Sequence, residues 1–294
     1  MSLKYGTTRL FANVGMMSLA SVCMMAHEAG AALTPIGLSG YNQDVVYEVG
    51  ATGSGNGKFK TEDAALMENG LNGQTDGLPV GGLLNSNVAG TTFQFAPYNA
   101  ANSLIVGEDN GALAKFGTLT FAAGDKQAYN KIALLGLSRG GDSNFSMVVF
   151  YTDGTNSGVA ENEGNPNTRG VFQNNTLPDW FNNGGSSQNG TIAPATGDLR
   201  RVDSNTGIDN GFGVNLQQIT YDLSAFSTVQ YGDDNFNLAS KPIDFITFES
   251  TGGGDKNRTF LAISGEAVAV PEPTALGLVA AGGLLALRRR RATV

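Results

Sequence analysis

Histidine and cysteine, the side chains that most often serve as general base, nucleophile or zinc ligand, occur once each in this chain. They are His27 and Cys23, and both precede residue 32. If that segment is removed on export, the rest of the chain has no Ser-His-Asp triad, no cysteine nucleophile and no imidazole or thiolate zinc site. The sequence therefore restricts the chemistry of the body to carboxylates and other oxygen groups.

Carboxylates leave two kinds of chemistry open. A pair of them can hydrolyse a glycosidic bond, although no pair stands out by its position in the sequence. Asp203, Asn205 and Asp209 present oxygen ligands at alternate positions of one loop, as a Ca²⁺ site does. The loop does not complete an EF-hand, because its glycine, Gly207, falls one place early and no bidentate glutamate follows at the right distance. A solvated acidic loop is the alternative interpretation. No other cofactor is indicated.

The only tryptophan marks the best candidate for ligand binding. Asp179, Trp180 and Phe181 stand between Pro178 and a polar, glycine-rich stretch. An exposed aromatic face there can stack on a sugar ring while the aspartate binds hydroxyl groups. A buried Trp180 would instead fill one end of a hydrophobic core, which is the commoner place for a lone tryptophan.

The first 31 residues are typical of a secretory signal peptide. Lys4 and Arg9 are basic, residues 10–26 are uncharged and mostly apolar, and small residues at 29–31 precede an expected cleavage near Ala32. Val22 stands where a lipoprotein signal needs a small residue, which disfavours lipidation of Cys23. We expect the secretion machinery and signal peptidase to act on this segment.

The other end of the chain, 267–294, resembles a membrane anchor. Its apolar run, 274–287, would be about 21 Å long as a helix, against about 30 Å of hydrocarbon, so flanking residues must help it to span. The arginines that follow place their end in the cytoplasm by the positive-inside rule. A buried core helix with a basic tail is the alternative. The arginines are Arg288, Arg289, Arg290 and Arg291.

Pro271, Glu272 and Pro273, the glycine-bearing apolar segment and the arginine tail also occur in the order of a known sorting signal. This end of the chain resembles the PEP-CTERM signal of Gram-negative bacteria. The resemblance implies processing by an exosortase-type enzyme and delivery to the cell surface or extracellular matrix. Whether the terminal helix is then cut off or retained in the membrane stays open.

The body, residues 32–266, is acidic. Between residues 33 and 270 there are 12 Lys and Arg against 24 Asp and Glu, and the whole chain has a formal net charge of −8. Such a surface repels nucleic acid and anionic lipid head groups, so neither is expected as a partner. A single domain of this length can form a hydrophobic core without disulfides.

Composition and pattern predict an all-β body. The chain has 41 glycines and few charges, which suits short strands joined by turns. Phe145, Met147, Val149 and Tyr151 alternate with period two and should face one core, with a turn at Asp153-Gly154. Nine predicted strands indicate two packed sheets. They cover 44–49, 91–95, 103–106, 115–121, 131–137, 145–151, 214–221, 243–249 and 259–264.

Two local predictions accompany these strands. Residues 244–248 and 260–263 flank a glycine-rich stretch and are expected to pair as a closing hairpin. Residues 61–69, which begin with Thr61 and precede Gly70, are predicted to form one short helix.

A second resemblance spans most of the body. It is carried by short motifs at 40–46, 77–79, 103–104, 118–120, 150–154, 179–181, 246–248 and 262–265. In these the chain is similar to bacterial PEP-CTERM surface proteins with a galactose-binding-like jelly roll. The resemblance implies a jelly-roll-like β-sandwich with long loops, a shape that many carbohydrate-binding modules share, and it transfers no activity.

Two functions therefore stay in contention. One is a non-catalytic surface or matrix protein that binds polysaccharide. The other is a secreted glycoside hydrolase that uses paired carboxylates. The absence of histidine from the body and of a distinctive acid pair favours the first.

Overall fold

The computed structural model describes the body in a series of ranges. These are residues 31–50, 64–75, 77–107, 113–157, 172–180, 191–192, 199, 201–203, 207–208, 214–226, 229–231, 234–251 and 256–269. Residues 1–30 of the predicted signal peptide and residues 270–294 of the predicted sorting segment, with its apolar run 274–287, lie outside them. Within these ranges no helix is long and apolar enough to cross a membrane.

The fold is all-β, as predicted, and it contains a β-sandwich. The described helices are single 3₁₀ turns at Leu71–Gly73, Ala123–Asp125, Leu223–Ala225 and Leu238–Ser240. The described strands are β1 (Thr34–Pro35), β2 (Leu38–Ser39), β3 (Val46–Tyr47), β4 (Ala64–Met67), β5 (Leu83–Asn85), β6 (Thr92–Gln94), β7 (Leu104–Gly107), β8 (Phe116–Phe121), β9 (Tyr129–Arg139), β10 (Ser143–Tyr151), β11 (Phe172–Leu177), β12 (Thr191–Ile192), β13 (Arg201–Asp203), β14 (Gly207–Ile208), β15 (Leu216–Asp222), β16 (Val229–Tyr231), β17 (Asp234–Phe236), β18 (Ile243–Thr251) and β19 (Asn257–Ala267).

Two antiparallel sheets form the sandwich. The central sheet has the order β1-β19-β9-β15-β12, with β7 also paired to β19, and the outer sheet has the order β11-β10-β18-β8-β2. At the edge of the central sheet Thr34 lies opposite Gly265 and Pro35 opposite Ser264, so the first described strand is paired with the last.

The sandwich core lies between these two sheets. Phe145, Met147, Val149 and Tyr151 of β10 point into it and are at most 2% exposed, which confirms the predicted alternation. Phe260 of β19 stacks on Phe248 of β18 with ring centroids 3.9 Å apart, so the two sheets meet through aromatic contacts. This apolar burial is the main source of stabilisation for such a fold.

A second core lies on the opposite face of the central sheet. Ala133, Leu135 and Leu137 of β9 are fully buried there, while Ile132 and Leu134 of the same strand point into the sandwich core. The second core is closed by a cover layer, which consists of the four-stranded sheet β14-β13-β4-β3, the two-stranded sheet β5-β6 and their connections. Strands β7, β9 and β19 of the central sheet are therefore buried on both faces.

Two local predictions were wrong. The predicted hairpin does not form, because β18 pairs with β10 and β8 in the outer sheet, whereas β19 pairs with β9, β7 and β1 in the central sheet. The predicted helix over 61–69 also fails where it is described, because Ala64–Met67 form strand β4. Backbone pairing to β3 and β13 and complete burial of Leu66 and Met67 outweigh the local helical preference there.

Candidate functional site

Trp180 is buried. Its side chain is 2% exposed and packs in the second core, and its backbone N–H donates to the carbonyl of Ser138 over 2.7 Å. The backbone N–H of Asp179 donates to the carboxylate of Asp142 over 2.9 Å. A tryptophan in this position does not offer its face to a sugar, so the structure favours the packing interpretation. Phe181 lies outside the described residues.

The candidate calcium loop is described only in part. Asp203 ends strand β13, where its backbone pairs with Ala64 and with Gly207. Asn205 and Asp209 lie outside the described residues, as do the sorting-signal residues Pro271 to Pro273 and Arg288 to Arg291. In the ranges that the structure describes, no group of three or more Asp, Glu, His or Cys could hold a metal ion.

A cleft of about 570 Å³ opens in the cover layer instead. Such a volume lies within the range of about 300 to 1,000 Å³ that is usual for small-molecule sites. Two glutamates, two aromatic side chains and two amide side chains line it, together with small or apolar residues. The described lining residues are Glu48, Val49, Glu68, Gly81, Gly82, Gln94, Phe95, Ala96, Pro97, Tyr98 and Asn99. We refer to this site as the glutamate cleft.

Strand pairing explains why the two glutamates meet. β3 and β4 are parallel, with Val46 opposite Leu66 and Tyr47 opposite Met67. Glu48 and Glu68 are the next residues on their strands, and the backbone N–H of Glu68 continues the ladder by donating to the carbonyl of Tyr47 over 3.0 Å. Neighbouring strands are about 4.8 Å apart, so the two side chains start side by side.

Like charges beside each other on adjacent strands destabilise a sheet. Only part of this charge is compensated by hydrogen bonds. Glu68 is 9% exposed, and its Oε2 accepts a hydrogen bond of 2.7 Å from the backbone N–H of Val49. Glu48 Oε2 is buried and has no hydrogen-bond partner among the described residues. Burial raises the pKa of Glu48, and the nearby carboxylates of Asp44 and Glu68 raise it further.

Two aromatic side chains, Phe95 and Tyr98, form the floor of the cleft and are held in place by contacts with their neighbours. Phe95 and Tyr98 pack edge to face with ring centroids 6.1 Å apart. The Tyr98 hydroxyl donates to the carbonyl of Pro79 over 3.0 Å, which ties the floor to the turn that forms one wall. Phe95 and Tyr98 are 3% and 8% exposed, so they shape the floor more than they offer open faces.

The conformation of the turn that forms this wall of the cleft requires glycine at two positions. Gly81 and Gly82 have φ of +79° and +77°, a left-handed conformation that disfavours other residues. A Cβ on Gly82 would also lie 2.8 Å from the Gln94 amide nitrogen and 3.3 Å from Phe95. The flanking residues Val80 and Leu83 are 72% and 53% exposed, and Val49 in the cleft is 51% exposed. Of these three exposed apolar side chains, Val49 lines the cleft beside the carboxylates.

This arrangement can bind a small ligand that offers hydrogen-bond donors together with an apolar face. Two carboxylates in one cleft, one of them with a raised pKa, also meet the first requirement for acid–base catalysis on a glycosidic bond. The sequence motifs above do not predict this site, although the sequence contains a signal for it. Glu48-Val49-Gly50 and Glu68-Asn69-Gly70 are two Glu-x-Gly turns, each after a run of apolar residues.

Comparisons of the chain with protein-family models, with curated proteins and with solved structures found no match.

Proposed function

We propose that this is an exported, non-catalytic protein of the cell surface or extracellular matrix that binds polysaccharide in the glutamate cleft. The observation that carries the binding part is the cleft itself, about 570 Å³ in volume, in which carboxylate and amide groups lie beside apolar side chains. Sugars present hydroxyl groups at their edges and C–H groups on their faces. A site with this mixture meets both kinds of surface.

Export and sorting are supported by the sequence. The signal-peptide pattern before Ala32, the Pro271-Glu272-Pro273 triplet and the terminal arginines point to secretion, a membrane-inserted terminal helix and an exosortase-type enzyme of a Gram-negative bacterium. The all-β sandwich agrees with the jelly-roll-like body that the second resemblance implies. The acidic body fits a location where nucleic acid is not a partner.

Blocking the cleft tests the binding function. Ala96 is half-buried and lines the cleft, so Ala96→Trp should fill it, whereas Ala123→Trp adds the same side chain at an exposed turn elsewhere. We expect the parent chain and Ala123→Trp to be retained by the same oligosaccharides on a glycan array, and Ala96→Trp to bind at least about tenfold more weakly. Equal retention of all three chains, or no retention of the parent, would refute binding in this cleft.

Mass spectrometry tests the sorting function. The product from cells with the exosortase should begin near Ala32 and lack the residues after the Pro271 region, and cells without the enzyme should keep the arginine tail. An intact chain from Met1 to Val294 among cytosolic proteins would contradict export.

The paired glutamates support one second candidate, a secreted glycoside hydrolase. The raised pKa of Glu48 suits a general acid, and Glu68 beside it would serve as nucleophile or base. In that case Glu48→Gln and Glu68→Gln should each abolish the release of reducing ends while the fold survives. If the parent chain retains polysaccharide and hydrolyses none of it, the result excludes the hydrolase and supports the binding function.

A further inference from the structure

The carboxylates in and near the glutamate cleft differ in the hydrogen bonds that they accept. Asp44 Oδ1 accepts hydrogen bonds from the Asn102 side-chain amide over 2.7 Å and from the backbone N–H of Val46 over 3.3 Å, so it helps to hold β3 in place. Glu68 accepts from the backbone of Val49. Glu48 alone has a buried oxygen, Oε2, for which the described residues supply no donor.

Buried carboxylate oxygens are nearly always hydrogen-bonded, and an exception in a native structure needs an explanation. Here the oxygen belongs to a side chain that lines a cleft large enough for a ligand. Rotation of the Glu48 side chain towards the cleft would present this oxygen to a donor on a bound molecule. The strongest such donor is a charged one, because charge-assisted hydrogen bonds are about twice as strong as neutral ones.

The charge around the cleft favours a cation. Its described lining residues include two carboxylates and no lysine or arginine. Four lysines elsewhere on the body already form ion pairs with other carboxylates, over 2.6 to 3.5 Å. These pairs are Lys115–Glu249, Lys126–Asp244, Lys131–Glu266 and Lys241–Asp153. None of the ion pairs among the described residues involves Glu48 or Glu68.

An organic cation fits better than a metal ion. Ca²⁺ needs six to eight oxygen ligands, and the described residues contain no group of three carboxylates that could hold a metal. An ammonium group has three donors and no need for such a shell. Apolar side chains beside the glutamates, such as Val49 and Pro97, suit an ammonium group whose neighbouring atoms are the C–H groups of a ring.

We propose that the glutamate cleft selects amino sugars with a free ammonium group, and that the Glu48 carboxylate accepts a hydrogen bond from that ammonium. This inference rests on the proposed polysaccharide-binding function and specifies its ligand class. Neutral sugars lack the charge that Glu48 and Glu68 favour, and uronic acids would bring a third negative charge into the cleft.

The test uses oligosaccharides that differ only at carbon 2. A glycan array of the purified full chain carries each backbone in amino, N-acetylamino and hydroxyl forms, and titration calorimetry follows on the bound backbone. We expect the amino form to bind at least about tenfold more tightly than the other two, and the advantage to shrink as salt rises. Glu48→Gln should remove the advantage and keep the weaker neutral binding. Glu249→Gln, a carboxylate variant in the outer sheet, should keep it.

The outcomes separate the two proposals. Equal binding of all three forms, or a preference for the amino form that survives Glu48→Gln, overturns the charge selection while cleft binding stands. If no oligosaccharide binds in any form, the polysaccharide function fails as well. Trilysine that binds as tightly as the amino oligosaccharide, and loses binding with Glu48→Gln, would identify a site for basic peptides and overturn the amino-sugar assignment.

Discussion

The two faces of the central sheet are built differently. One face packs on the outer sheet, whose strands β10 and β18 have nine residues each, and aromatic rings join the layers, with Phe145 and Phe260 edge to face at 5.0 Å. The other face packs on the cover layer, where the described strands have two to four residues and left-handed glycines form the turns. Among the described residues, the cleft and its paired glutamates lie on the side of the cover layer.

The difference shows that one side of the central sheet mainly stabilises the fold and the other side carries the candidate site. Long paired strands with a regular apolar interface supply stability. The cover layer, which contributes less regular pairing, holds groups that oppose folding, namely two adjacent carboxylates of which one oxygen is unpaired. Features that cost stability tend to persist where a site needs them.

Matched leucines on the two faces give the largest expected effect. Leu134 and Leu135 are neighbours on β9, at most 1% exposed, and point into the sandwich core and the second core respectively. Each Leu→Ala change should lower the free energy of unfolding by about 2–5 kcal/mol, measured by urea denaturation. A loss below about 0.5 kcal/mol for Leu135→Ala, the level of a surface change, would show that the second face is not a core.

The close contact between β1, β19 and β9 gives the next largest effect. A Cβ on Gly265 would clash with the Tyr129 ring and lie 2.9 Å from Ile36. Gly265→Ala should therefore destabilise the sandwich side by about 1–3 kcal/mol through overpacking. Gly124→Ala, where no atom lies within 4 Å of the new methyl group, is the control and should change the melting temperature little. Equal melting temperatures for both variants would contradict this packing.

On the cleft side a substitution should stabilise the protein. The pKa of Glu48 is raised in the folded chain, so the folded state loses its proton at higher pH than the unfolded state, and stability falls as pH rises through this interval. Glu48→Gln is neutral at every pH and avoids this loss. We expect a higher melting temperature than the parent at neutral pH and a smaller difference at acid pH. A lower melting temperature at neutral pH would show that Glu48 supports the fold.

The smallest effect is expected at an exposed turn that belongs to neither face. Lys241 donates to Asp153 over 2.7 Å, and with Thr155 it lowers the pKa of Asp153 from 3.8 to about 2. This stabilisation is present above pH 3.8 and is lost as pH falls towards 2. Asp153→Asn should lower the melting temperature slightly at neutral pH and leave it unchanged near pH 2. A difference that persists in acid would point to a cause other than ionisation.

Regular strands could be predicted from the sequence because their pattern is local. All nine predicted strands overlap strands of the structure, and the Asp153-Gly154 turn follows β10 as expected. The partners of each strand could not be predicted. In the sequence, Phe248 and Phe260 lie in two segments that resemble the strands of a hairpin, but in the structure their rings stack across two sheets. An alternating apolar pattern shows that one face of a strand is buried, and it does not show which strand lies beside it.

The candidate site was harder to predict for a related reason. Trp180 is the only tryptophan, but a lone aromatic side chain is compatible with both a core and a surface position, and in the structure it is buried. Glu48 and Glu68 are twenty residues apart and become neighbours only through a parallel pairing of two short strands. The sequence predicts a helix where β4 forms, so it does not predict the pairing that creates the cleft.

The pairing of β1 with β19 has a mechanical consequence. Thr34 and Gly265 are opposite each other, so the chain enters and leaves this sheet at the same end. Any tether beyond Val268 is joined directly to β19, whose eleven residues are clamped between β9 on one side and β1 and β7 on the other. Tension from a surface-held glycan would thus be borne by a strand that is paired on both sides, and not by an edge strand that peels away easily.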